Sequence, residues 1–518
     1  MTEGFLPIEP VYGRAEFRAS APRLSIPEAS MSPDSAYEMV RNELMLDARA
    51  GLNLATFVNT TCADPWARRL INENLGINFI DHEEYPATNL AEKRVMWMLA
   101  EAFGADFGED TDPDTAKGLY GSATVGSSEA AMLGLIAHKQ RWLDLNRTNL
   151  EAGQADPQDR PVVVMGAHVH GCWDKFCKYY GAVPVYIPIE GSPYHVTAEQ
   201  IAEVLRTPID SDSIYAAMVQ EGIGYLSPQA DRTIGELVMC VGGVVGTTFT
   251  GNSDPIEAMD QVVDEYCNES GSRDLGLDIP IHVDAASASF VSLFSDRGAE
   301  LGLNFRLTKR VRSMNISNHK FGMTLPGMGS VIFRDGHVVP NDLVYHITYL
   351  GGNFIDYTVN FSRGAAMILM QYYNLLRFGR AGYRSIIGNC LHNARTFVEG
   401  LHGIDRLRKY FKVISDWERL PIVILTWADP KTKPVWDLTA LSHRLRQSGW
   451  VVPSYVLPKQ SPDQVLKPEQ GTQVLRIVVQ QAVTADKLSR LLTDMKDAVD
   501  GLDKKKGPEG RSVTGFKC

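Results

Sequence analysis

Lys320 directly follows His319, comes after the hydroxyl- and amide-bearing run Ser313-Met314-Asn315-Ile316-Ser317-Asn318, and is followed by Phe321 and Gly322. A lysine so placed could lose its proton and attack a carbonyl, forming a Schiff base with an aldehyde cofactor held by nearby donors. A solvated lysine at a strand end would look the same, so other segments must decide. Asp284 ends the very apolar run Ile281-His282-Val283-Asp284, followed by Ala285 and Ala286. An unpaired carboxylate buried there would be costly, so a cationic partner is expected. That partner is either a lysine or arginine of the fold or a protonated pyridine nitrogen, which Asp284 would keep charged so that the ring can accept electrons. With Lys320 lying 36 positions onward, the pair points to pyridoxal phosphate.

Gly121-Ser122-Ala123-Thr124-Val125-Gly126-Ser127-Ser128-Glu129-Ala130 precedes a helical stretch, Ala131–Trp142. Small hydroxyl residues and free N–H groups at a helix start suit a phosphate, with Ser127 and Ser128 as its holders; ordinary capping by a serine is the other reading. His168, His170 and Cys172 are zinc-type donors, but the spacing lacks a fourth ligand and no metal site is expected.

Those residues sit where a sheet would place them. Apolar runs at Pro161–Met165, Val183–Ile189, Leu237–Thr248, Ile279–Ala285, Ser313–Ser317 and Gly329–Phe333 alternate with helical stretches. The pattern predicts an α/β domain with a largely parallel sheet, its ligand site at the carboxyl ends of the strands. His168, His170, Thr248, Asp284 and Lys320 lie at such ends. Helices are expected over Ser35–Asp47, from Pro65, over Asn89–Phe103, Ala365–Phe378 and Tyr383–Leu401. Beyond them, strands at Pro421–Trp427, Trp450–Val452 and Val474–Val479 with helices at Asp437–Ser448 and Ala485–Val499 predict a smaller α+β lobe. The segment Tyr345–Asn360, with Tyr349-Leu350-Gly351-Gly352-Asn353, suits a mobile loop closing a site. The expected organisation is an arm and helix at 1–60, a large cofactor-binding domain at 61–375, a small domain at 376–503 and a disordered tail at 504–518.

Composition narrows the function classes. With 518 residues, a net charge of −11 and a pI near 5.6, the chain lacks the basic balance of a nucleic-acid or acidic-membrane binder. No apolar run is long enough for a membrane span, no leader pattern opens the chain, and seven scattered cysteines form no disulfide framework, so a cytoplasmic protein is expected.

On these motifs the chain resembles the group II pyridoxal-phosphate decarboxylases, and among them the glutamate decarboxylases. The likeness runs over roughly residues 35–500 and includes Asn53–Phe57, Ile80–Pro86, Gly126–Ala130, Cys172-Trp173, Thr248–Asn252, His282–Ala286, His319–Gly322, Tyr349–Gly352 and Asn360–Arg363. It implies a fold-type-I architecture, a homodimer or higher homo-oligomer, Lys320 as Schiff-base lysine and Asp284 on the pyridinium nitrogen. It further implies Ser127, Ser128, Ser317 and His319 around the phosphate, Thr248 and Ala286 at the cofactor, Ser362 reaching a neighbouring subunit's phosphate, and Tyr349 in a catalytic loop. Arg476 matches the arginine for the substrate α-carboxylate, and Thr56, Phe57, Asn78 and Asp81 the pocket for a distal carboxylate. Two departures stand out. His170 replaces the glutamine usual before the Cys-Trp pair and is the residue that other group II decarboxylases stack on the pyridine ring; and a stretch near Asp210–Thr233 has no counterpart, which suits a lid or subunit contact.

The implied activity is α-decarboxylation of L-glutamate to 4-aminobutyrate and CO₂. Competing readings are decarboxylation of another amino acid, an oxidative or carbon-bond-forming outcome on the same scaffold, and a non-catalytic protein that kept the fold. Lys320, Asp284 and His319 together argue against the last.

Overall fold

The computed structural model describes residues 13–18, 24–59, 64–189, 191, 193–224, 232–270, 275–347, 354–431 and 433–504. The chain divides into two compact units, one ending at Asn53 and the other beginning at Leu54. In the first, the helix Pro33–Leu44 starts on a proline at its first position, and Arg14 bonds Ser32 and Asp34 at its start, each at 2.6 Å.

The second unit is built on a seven-stranded sheet. Its strands are β1 (Gly121–Thr124), β2 (Val162–Gly166), β3 (Val183–Ile187), β4 (Val238–Val244), β5 (Ile281–Asp284), β6 (Val311–Ile316) and β7 (Gly329–Phe333), in the order β1-β7-β6-β5-β4-β2-β3. The pairs β2–β3, β2–β4, β4–β5 and β5–β6 are parallel, whereas β7 runs antiparallel to both β6 and β1. Every residue of β2, β4, β5 and β7 is buried, because helices such as Ser127–Glu151 and Ile256–Ser270 cover the sheet, which is why these strands read as continuous apolar runs. β1 escaped the sequence pattern: Gly-Ser-Ala-Thr is buried throughout yet carries no large apolar side chain.

A second, antiparallel sheet contains β10 (Phe411–Val413), β11 (Ile422–Trp427), β12 (Ser454–Val456) and β13 (Gln473–Val478). The strand expected at Trp450–Val452 is β12 instead. It begins only after Pro453, and Trp450 and Val452 are buried as single packed side chains. Between the sheets, β8 (Tyr345–Ile347) and β9 (Phe354–Asp356) form a hairpin; Tyr349, Leu350, Gly351 and Gly352 lie outside the described residues. The described part of the unmatched stretch near Asp210–Thr233 forms a helix, Ile214–Ile223, whose Tyr215, Ala216 and Val219 are buried. That helix packs on β3 so closely that a Cβ on Gly222 would come within 2.3 Å of Val183. Among the described residues no helix is long and apolar enough to cross a membrane, and five cysteines (Cys172, Cys177, Cys240, Cys267 and Cys390) are free and buried.

Candidate active site

The carboxyl ends of β2, β4, β5 and β6, with the start of the helix Ser127–Glu151, surround a cavity of about 230 Å³. Nine of the ten residues assigned to the cofactor from the sequence line it, Ser127, Ser128, His170, Thr248, Asp284, Ala286, Ser317, His319 and Lys320, together with His168 and Cys172. A larger cavity of about 670 Å³ near Glu92 and Arg363 holds none of them.

Asp284 is 5% exposed, and its three hydrogen-bond donors are all neutral. Oδ1 accepts from Asn315 Nδ2 at 2.8 Å and from the Ala286 N–H at 3.1 Å, while Oδ2 accepts from Trp173 Nε1 at 3.2 Å. Among the described residues no lysine or arginine forms a salt bridge with it, although Lys320 interacts with it electrostatically. Lys320 Nζ donates to Ser287 Oγ at 3.0 Å and stands 5.3 Å from the centre of the Phe57 ring. Burial, opposed by Asp284 and reinforced by Arg476, pushes its pKa from 10.5 down to about 8, within reach of a nucleophile near neutral pH.

The helix Ser127–Glu151 has Gly126 at its N-cap and no side-chain cap. Ser127 is therefore not spent on capping; its Oγ instead accepts from Ser317 Oγ at 2.7 Å. His319 Nδ1 is buried without a hydrogen-bond partner among the described residues, and burial, with Lys320 next to it, lowers the His319 pKa to about 4. An uncapped helix start, two hydroxyls and an unpartnered imidazole nitrogen in one cavity fit the phosphate end of pyridoxal phosphate, as Asp284 fits its ring nitrogen.

His170 caps the helix Gly171–Tyr180: its Nδ1 accepts from the Cys172 N–H at 3.3 Å, which leaves the proton of the neutral ring on Nε2. Burial lowers its pKa and raises that of the neighbouring Cys172 thiol. His168, only 3% exposed, bonds Asp254 Oδ1 at 3.0 Å, and that carboxylate also accepts the N–H groups of Val196 and Val244. Among the described residues no group of three or more His, Cys, Asp or Glu is placed to hold a metal ion.

Arg476, on β13, donates from Nη1 to Thr248 O at 2.8 Å and Oγ1 at 3.1 Å, and from Nη2 to Ala55 O at 2.7 Å; Tyr455 stacks on it at 5.5 Å. All these acceptors are neutral, and Nε is buried without a hydrogen-bond partner among the described residues. A guanidinium with spare donors and no carboxylate among the described residues suits an anionic ligand. Thr56 Oγ1 accepts from the Val58 N–H at 2.9 Å, close in sequence to Phe57. Thr56, Phe57, Asn78, Asp81, Ser362 and Arg476 do not line the cavity, although Arg476 bonds Thr248 and the Phe57 ring lies near Lys320. Asn78 Oδ1 accepts the Arg363 N–H at 3.2 Å, its Nδ2 reaches Ser362 Oγ at 3.5 Å, and the Asp81 N–H donates to Asn78 O at 3.1 Å, so Asn78, Asp81 and Ser362 form a separate group.

The pyridoxal-dependent decarboxylase conserved domain matches residues 54–424. The chain belongs to this family. It is a pyridoxal-phosphate-dependent amino acid decarboxylase. It is 32% identical over 504 residues to glutamate decarboxylase 1 of Arabidopsis thaliana, covering 97% of this chain and 88% of that protein. With the glutamate decarboxylase of Aliivibrio fischeri it shares 33% identity over 494 residues, 95% of this chain and 92% of that one. The solved glutamate decarboxylase of Lactobacillus brevis superposes with a TM-score of 0.76 at 31% identity, covering 96% and 98% of the two chains. The Oryza sativa TDC structure, at 18% identity, 94% and 92% coverage and a TM-score of 0.66, shares the fold.

Sequence reasoning passed over Ser287, Asp254 and the supports of Asp284. One signal was there to be used. Ser313 and Asn315 alternate along β6 and Ser317 continues the alternation just past its end, and all three polar side chains are buried.

Proposed function

We propose that the protein removes the α-carboxylate of L-glutamate, giving 4-aminobutyrate and CO₂. The observation that carries this reading is Arg476, a guanidinium without a carboxylate partner among the described residues, coupled electrostatically to Lys320. When bound, pyridoxal phosphate supplies the electron sink that accepts the pair left by the departing carboxylate. Lys320 would hold the cofactor; with its pKa lowered to about 8, its amine can take up and return a proton near neutral pH. Asp284 keeps the ring nitrogen protonated. Ser127, Ser128, Ser317 and His319 hold the phosphate, Thr248 and Ala286 line the cofactor, and His170 lies against its ring. Arg476 orients the α-carboxylate. Thr56 and Phe57 start the distal-carboxylate pocket, and Tyr349 would take part in catalysis.

The same reading makes the active unit a homodimer. Asn78, Asp81 and Ser362 stand apart from the cavity of their own chain, as residues serving a second subunit's site would. Tyr37, Val40 and Leu44 of the helix Pro33–Leu44 are exposed, an apolar face that a partner would cover.

Mass spectrometry of the products from glutamate, aspartate, tyrosine and tryptophan, with purified cofactor-loaded protein, tests the substrate. Glutamate is expected to be turned over about 10⁴-fold better than the aromatic pair, because their side chains leave polar groups of the pocket unpaired. Equal or faster turnover of an aromatic substrate overturns the assignment.

A further inference from the structure

Behind Asp284 lies a run of buried polar side chains that the chemistry above does not use. Asn315, 1% exposed, bonds Asp284 on one side and His282 Nε2 on the other, the latter at 3.0 Å. His282 Nδ1 lies 2.7 Å from Ser313 Oγ, and the same hydroxyl lies 2.7 Å from His138 Nε2. His138, His282 and Ser313 are fully buried.

The direction of every hydrogen bond follows from the Asp284 end. A carboxylate only accepts, so Asn315 must present its NH₂ to Asp284 and its carbonyl to His282. That carbonyl also only accepts, so His282 carries its proton on Nε2 and accepts at Nδ1. Ser313 must then donate to His282, which leaves its oxygen free to accept from the Nε2–H of His138. His138 Nδ1 ends the run without a hydrogen-bond partner among the described residues. Burial holds both histidines well below the ordinary imidazole pKa, so the run is neutral throughout. The helix Ser127–Glu151 makes room for it with a glycine: a Cβ on Gly134 would lie 2.5 Å from His282 Cε1 and Nδ1. Glycine costs about 1 kcal/mol relative to alanine inside a helix, so a reason for it here is expected.

We propose that His138, Ser313, His282 and Asn315 form a one-directional chain of hydrogen bonds that holds the side chain of Asp284 in place, facing the cofactor's ring nitrogen. These four are positioning residues, acting through Asp284. The proposal rests on the reading that Asp284 pairs with that nitrogen.

The test uses full-length protein loaded with pyridoxal phosphate carrying ¹⁵N in its ring, whose chemical shift separates protonated from unprotonated nitrogen. Wild type is expected to show the protonated position. Ser313→Ala, which breaks the chain at a small side chain and preserves the strand, is expected to move the shift towards the unprotonated position. Its kcat should fall by up to about tenfold, the upper end of what one neutral hydrogen bond is worth, with KM for the amino acid little changed. Ser313→Thr, which keeps the hydroxyl, is expected to restore both readouts. His282→Phe should match Ser313→Ala. Asp284→Asn separates the two levels of the argument. If it leaves the ¹⁵N shift of bound cofactor unmoved, the pairing of Asp284 with the ring is wrong. If it moves the shift while folded, cofactor-loaded Ser313→Ala and His282→Phe both keep the wild-type value, the chain is packing and the proposal is overturned.

Discussion

At the scale of single residues, Lys320 is the most directly testable. Its amine must be neutral to attack the aldehyde, and its pKa is displaced downward to about 8, so the protonated fraction falls as pH rises through that value. Incorporation of pyridoxal phosphate into the apoprotein should accelerate about tenfold per pH unit below 8 and level off above it. An amine with the ordinary value of 10.5 would keep accelerating beyond pH 10. Stopped-flow absorbance between pH 6 and 9.5 distinguishes these courses, and borohydride reduction followed by peptide mapping should place the cofactor on Lys320. Arg476 offers a second test. Its donors leave in a planar fork, and lysine carries a point charge without that fork, so Arg476→Lys should lower kcat/KM for glutamate by about 100-fold, chiefly through KM. His170 is a third. Its Nδ1 is occupied by the Cys172 N–H, so only its ring face and Nε2 can serve the cofactor. His170→Gln should leave cofactor affinity within a few-fold while kcat falls about tenfold or the product ratio changes. If neither moves, the side chain is no more than a helix cap.

At the scale of elements, the long helical run Ala366–Gly403 is interrupted at Gly379, whose φ of 54° and ψ of −169° are open essentially to glycine alone. A Cβ there would meet nothing within 4 Å, so Gly379→Ala isolates backbone strain from packing. It should destabilise the fold by about 1–3 kcal/mol, read as a lower urea midpoint with an unchanged m-value. This break was legible in the sequence as two helices with a gap between Phe378 and Tyr383. So were the six strands whose apolar runs are buried on both faces, and with them the strand ends that carry Asp284, Thr248 and Lys320. What was not legible depends on distance in sequence. β1 lacks large side chains, β12 was displaced by Pro453, and Asp254 reaches His168 across 86 positions with no local pattern to announce it. Motif matching selected Asn78, Asp81 and Ser362 together with the cavity residues, whereas the fold of one chain sets them apart.

At the scale of the whole molecule, that separation has a consequence that can be counted. If Ser362 completes the site of a second subunit, the groups needed at one site come from two chains, and defects in different chains can cancel. Lys320→Ala removes the covalent attachment in its own chain but leaves its Ser362 intact. Ser362→Glu sets a negative charge against a phosphate in the partner's site but leaves its own Lys320 intact. Each homodimer should be nearly inactive. In a heterodimer, the site holding the intact Lys320 receives the intact Ser362 from the other chain and works, while the second site carries both defects. Equal amounts exchanged at random yield heterodimers in half of the molecules, each with one working site of two, so activity should recover to roughly a quarter of wild type. Sedimentation at the assay concentration should show a dimer or larger species throughout. A Ser362→Glu homodimer with full activity, or a mixture that recovers nothing after subunit exchange has been demonstrated by mass, would place Ser362 outside any shared site and remove the reason for assigning Asn78 and Asp81 to the partner.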